Sequence, residues 1–185
     1  MITGIVLFSQ TAFNNSILLN NLAYDIAITL RQAQTFGVNV RESGVGSGKF
    51  SPYGVYFNLN SILGNKGFVL FADTAIGADQ KPDLKFTGDP TCKASDPECV
   101  QKYSLNKGNY IKDICIGSSD ANCISVGSND LTILFKRPNP DALMYSGTGR
   151  AQADAKNYAK ITISSGDNSV VKNVVITSVG QIYVQ

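Results

Sequence analysis

The first forty residues contain no proline and only two charges, Asp25 and Arg31. Within them apolar residues recur every three or four positions, at Leu18, Leu22, Ile26, Leu30 and Ala33, which is the spacing of one helix face. The fuller stripe takes in Phe13, Ile17, Leu18, Leu22, Ile26, Leu30, Ala33 and Phe36. The opposite face carries Asn14, Asn15, Asn20, Asn21, Asp25, Gln32 and Gln34. This pattern predicts one helix from about Ile5 to Val40, ending near Phe36-Gly37 or at Arg41. At 1.5 Å per residue that makes a rod of about 50 Å. A compact body built from the rest of the chain cannot cover such a rod, so part of it is expected to project or to pack on other subunits. A plain core helix of a globular domain is the alternative, and the length and the missing charges weigh against it.

After Arg41-Glu42 the character changes. Ser43-Gly44-Val45-Gly46-Ser47-Gly48 is flexible linker chemistry. It divides the chain into residues 1–41, the helix, and residues 42–185, a strand-rich head. Tyr53–Phe57 and Gly67–Ala72 read as a hairpin. Residues 73–112 are polar and irregular, and four of the six prolines fall between 52 and 97. Ile111–Ile116 and Ile124–Val126 are placed to pair around a cysteine loop. Asp130–Lys136 is a strong strand, Arg137-Pro138-Asn139-Pro140-Asp141 a strong turn, and Leu143–Tyr145 continues beyond it. Tyr158–Ser164 and Val170–Thr177 form a second hairpin, and Gly180–Val184 closes the chain. One long helix followed by an antiparallel sheet is an α+β arrangement.

The chain has no histidine, which removes the usual general base near neutral pH and the commonest transition-metal ligand. Ser-His-Asp and Cys-His chemistry are excluded within it. Ser43–Lys49 superficially resembles a phosphate loop, but Lys49 is followed by Phe50 and the segment follows a helix rather than a strand. No enzyme, cofactor or metal-ligating set is expected. Net charge is +2, without a dense basic cluster. The four cysteines fall as Cys92/Cys99 and Cys115/Cys123. An even count in loop-rich surroundings favours disulfides and an oxidising compartment. Free thiols and a four-thiolate zinc site remain as alternatives, although the C-x₆-C and C-x₇-C spacings are wider than zinc knuckles. Local pairing, 92–99 and 115–123, closes two short polar loops. Met1–Phe8 is apolar but far shorter than the roughly 20 residues that span a bilayer.

The order of these elements resembles type IV pilin-like proteins, most closely minor pseudopilins of the GspH/FimT kind. The resemblance is carried by Asn21–Gly37, where Leu30-Arg31-Gln32-Ala33 lies in a helix entering the head, and by the hairpins Tyr53–Phe57/Phe68–Asp73 and Ile161–Ile163/Val174–Ile176 with Gly180–Val184. It covers most of the chain through patterns rather than catalytic signatures. It implies a pilin-like fold, a long N-terminal helix on an antiparallel head. It also implies a structural role in a type IV pilus or a type II secretion pseudopilus. The partners would be other pilin or pseudopilin subunits, met through the helix. The subunit would sit in the inner membrane before assembly and at the cell surface afterwards. The family's leader and its Phe-Thr-Leu-x-Glu start do not appear, so Met1 reads as standing in for upstream residues. The first 24 residues, uncharged, suit packing among subunits, and the stripe from Phe13 to Phe36 suits packing on the head.

Two further groups invite a reading. Asp73, Asp79, Asp83, Asp89, Asp96 and Glu98 are oxygen donors suited to calcium, but they follow no EF-hand order, and a solvated loop is the reading taken. In the alternative role of a tip pilin whose head holds DNA or a surface ligand, Lys136, Arg137, Arg150, Lys156 and Lys160 would supply phosphate contacts. Scattered solubilising charge is the plainer account.

Overall fold

The computed structural model describes residues 2–39, 50–74, 82–127, 129–147 and 156–185, with helix side chains from Phe13 onward. Helix α1 runs over Ile2–Val38. Ten strands follow: β1 Tyr53–Asn58, β2 Gly67–Ala72, β3 Cys99–Ser104, β4 Tyr110–Gly117, β5 Cys123–Ser125, β6 Asp130–Phe135, β7 Ala142–Tyr145, β8 Tyr158–Ser164, β9 Val171–Thr177 and β10 Ile182–Val184. They form two antiparallel sheets rather than one, ordered β3-β2-β1-β6-β7 and β10-β9-β8-β4-β5. The α+β class follows directly.

Alternation along the strands explains the layering. In β2, Phe68 and Leu70 enter the main core, while Val69 and Phe71 enter a smaller one on the far side of the sheet with Phe86, Leu134, Leu143 and Tyr145. Both faces of β2 and β6 are therefore covered, which is why Gly67–Ala72 and Leu131–Phe135 are nearly unbroken apolar runs. The second sheet turns Ile111, Ile114, Ala159, Ile161, Ile163, Val174 and Ile176 to the same main core.

The helix supplies Leu19, Ala23, Ile26, Ala27, Leu30 and Ala33 to that core, all at most 3% exposed. Three alanines on this face let the helix approach both sheets closely. Polar ties complete the docking. Arg31 Nη2 donates to the Ile182 carbonyl at 3.1 Å, and Gln34 Nε2 donates to the carbonyls of Pro140 and Gly180. At its far end Asn15 Nδ2 donates to Asp167 Oδ2 at 2.9 Å.

One strand escapes the sequence reading. β3 lies inside the stretch expected to be irregular, pairs with β2, and is mostly exposed. An edge strand with one solvated face needs little apolar content. Disulfides join Cys92 to Cys99 and Cys115 to Cys123. The first closes the turn leading into β3, and the second closes the β4–β5 turn.

Candidate functional site

Three surfaces could carry a function: the outward face of the helix, a group of cations near β6, and a buried group of carboxylates at the end of β2.

The helix has two apolar stripes. With 100° per residue, Leu19, Ala23, Ile26, Leu30 and Ala33 cluster on the side facing the sheets. Phe13, Ile17, Tyr24 and Ile28 fall within an arc of about 60° on the other side. These four are 66%, 43%, 53% and 57% exposed. The stripe read from sequence therefore draws on both faces. Ile26, Leu30 and Ala33 are buried, Leu22 and Phe36 pack on the core's margin, and Leu18 is half-buried, whereas Phe13 and Ile17 belong to the outward stripe. Tyr24 and Ile28, its other members, lie outside the stripe read from sequence. The signal for them was a spacing of 4, 7 and 4 residues from Phe13. Among the described residues, no helix is long and apolar enough to cross a membrane.

The cations are partly gathered. Lys136 and Arg137 border one groove with Asp141 and Leu143, and Lys156 borders the adjoining groove that shares those two residues. Arg137 lies over the Phe50 ring, 5.0 Å from its centroid. Lys160 stands apart, ion-paired with Asp120 at 2.8 Å, and that pairing, with a hydrogen bond from Tyr158, lowers the Asp120 pKa. Arg150 lies outside the described residues.

The acidic residues sort into two groups, with Asp79 outside the described residues. Asp89 and Asp96 organise the Cys92–Cys99 turn. Asp89 accepts from the Thr91 amide and hydroxyl and pairs with Lys93, while Asp96 accepts from the amides of Asp89 and Glu98. These contacts, the Lys93 bond foremost, hold the Asp89 carboxyl well below the usual range. Asp73, Asp83 and Glu98 converge instead, each placing a carboxylate oxygen within 4.8 Å of the others. Asp73 and Glu98 are fully buried. Asp73 accepts from the amides of Asp83 and Leu84, and Glu98 Oε2 accepts from the amide and hydroxyl of Thr87. Burial, then the charges of Asp83 and Glu98, outweighs the amide bonds and pushes Asp73 up to about 7. Burial likewise raises Glu98, against its Thr87 bonds.

Comparison of the chain with protein families, with curated proteins and with solved structures finds no match.

Proposed function

We propose that the protein is a structural subunit of a type IV pilus or type II secretion pseudopilus, assembling through its N-terminal helix. The observation that carries this is the second apolar stripe. A helix serving only its own core has one such stripe and a polar back. Here Phe13, Ile17, Tyr24 and Ile28 line the back, and the helix backbone continues from Phe13 to Ile2, roughly another 16 Å of axis. Apolar surface of this kind is stabilised by meeting other apolar helices. The head, held to the other stripe, is then carried on the outside of the assembly. In this reading the subunit rests in the inner membrane before assembly and reaches the cell surface or an extracellular filament afterwards.

The test is fractionation of cells that make the protein. Wild type is expected in the sheared or pelleted filament fraction, cross-linked to helix-bearing partners. A Phe13→Glu/Ile17→Glu chain is expected to leave that fraction while melting like wild type. Equal assembly of the variant, or wild type found only as a free monomer, refutes the proposal.

A second reading, a tip subunit whose head binds DNA, is favoured by one observation: Lys136, Arg137 and Lys156 border two adjoining grooves. Asp141 between those grooves and the pairing of Lys160 with Asp120 oppose it. A salt-dependent gel shift of duplex DNA, lost in Lys136→Ala/Arg137→Ala, supports this reading, and no binding at low salt removes it.

A further inference from the structure

Two of the three converging carboxylates, Asp73 and Glu98, are shut away from water. Lys85, the cation closest to the group among the described ion pairs, reaches only the exposed member, Asp83, at 3.5 Å. Glu98 brings a second observation: its Oε1 is buried and accepts no hydrogen bond, although Oε2 accepts two. Buried carboxylate oxygens are almost always satisfied, and an orphan beside two more carboxylates is the arrangement a cation completes. Thr74, next along the chain, also has a buried hydroxyl without a partner.

We propose that Asp73, Asp83 and Glu98 bind a hard divalent cation, calcium in preference to magnesium, tying the end of β2 to the loop before β3. The donor set is all oxygen, because the neighbouring thiols of Cys92 and Cys99 are joined to each other. That composition suits calcium and magnesium and disfavours the softer transition metals. Hydration separates the two. Magnesium dehydrates reluctantly and usually keeps several waters, whereas calcium accepts a larger and more flexible set of oxygen ligands, and two of these three carboxylates are shut away from water. Bound calcium would also offset the like-charge repulsion within the group.

The experiment is titration of the whole chain, stripped with chelator at pH 7.5, with calcium chloride and separately with magnesium chloride. Calorimetry and thermal melting are the readouts. Calcium is expected to bind one to one and to raise the melting midpoint by roughly 5 °C or more at a hundredfold excess over Kd. Magnesium is expected to bind at least tenfold more weakly. Glu98→Gln keeps the shape but not the charge, and is expected to abolish both heat and shift. Should that variant not fold, Asp83→Asn on the exposed rim is expected to fold normally and to weaken calcium at least tenfold. The proposal is overturned by the absence of any calcium response at millimolar concentration. It is equally overturned by magnesium binding as tightly as calcium, or by a response that survives the folded variants unchanged.

Discussion

Ile26 and Ile28 share a side chain and lie two residues apart, yet one is wholly buried and the other 57% exposed. Replacing each with alanine tests the rotational setting of the helix directly. Ile26→Ala removes three carbons from the core shared by the helix and both sheets. At about 0.8 kcal/mol per buried methylene this costs roughly 2.4 kcal/mol, and the cavity left behind brings the total to about 3–4 kcal/mol. Ile28→Ala removes the same atoms from a surface already mostly wet, for about 1 kcal/mol or less. The gain in helix propensity, a few tenths of a kcal/mol, is common to both and cancels. The expected difference is then about 2–3 kcal/mol, or roughly 5–10 °C in melting midpoint for a chain of this size. Urea unfolding followed by far-ultraviolet circular dichroism measures it, with the slope m expected to stay constant so that the midpoint carries the effect. Equal costs at the two positions, or a cost below about 1 kcal/mol at Ile26, would refute the assignment of inner and outer faces and with it the outward stripe.

Three further outcomes are expected. In chelator, with Asp73 at about 7 against an ordinary 3.8, the native state holds a proton that the unfolded chain has released. This group's contribution is therefore fully present below pH 3.8 and is lost as pH rises towards 7, by up to about 4 kcal/mol in total. Melting midpoints across pH 4–7 should show that fall relative to Asp73→Asn, and a parallel pair of curves would contradict it. Gly37 sits where an added Cβ would lie 2.3 Å from the Phe135 carbonyl oxygen. Gly37→Ala should accordingly destabilise by about 1–3 kcal/mol, reversing the gain of nearly 1 kcal/mol that alanine brings in an open helix, and urea midpoints decide the sign. Removing the Cys115–Cys123 bridge as a double serine variant opens a loop of sequence separation 8 and should cost about 2–3 kcal/mol by loop-closure entropy, read from the same titration.

How much of this was legible depends on the range of the signal. The helix and the β1–β2 and β8–β9 hairpins announce themselves locally, through periodicity and β-branched runs, and the structure places them with ends shifted by at most three residues. The separation into two sheets was not legible. It depends on pairings between distant segments, β1 with β6 and β4 with β8, which no local pattern encodes. β3 escaped the sequence reading because Val100, Gln101 and Lys102 all face water, leaving Tyr103, stacked on Phe68, as an isolated apolar signal. The helix face was only half legible, because an apolar residue on a helix with two stripes does not declare which stripe it joins. Leu18 and Leu22 looked central, whereas Leu19 and Ala23 are the buried pair. For the carboxylates, composition named six acids. Which three meet was decided by the β2–β3 pairing, which sets the Ala72 amide on the Glu98 carbonyl at 2.9 Å and so brings Asp73 beside Glu98.

The strand order also bears on how the chain is made. Its path crosses from one sheet to the other three times, at β3–β4, β5–β6 and β7–β8. Neither sheet is a continuous piece of chain. β1 waits for β6, and β4 waits for β8, before either gains its second neighbour. The helix is synthesised first, yet the groove that receives it is closed only by β9 and β10. Until β10 has been made, the helix has no complete site in its own head, and both of its apolar stripes are open to other proteins. Topologies dominated by such distant pairings fold slowly, so a chain of this order has a long interval in which a chaperone, or a membrane, can hold the helix before the head does.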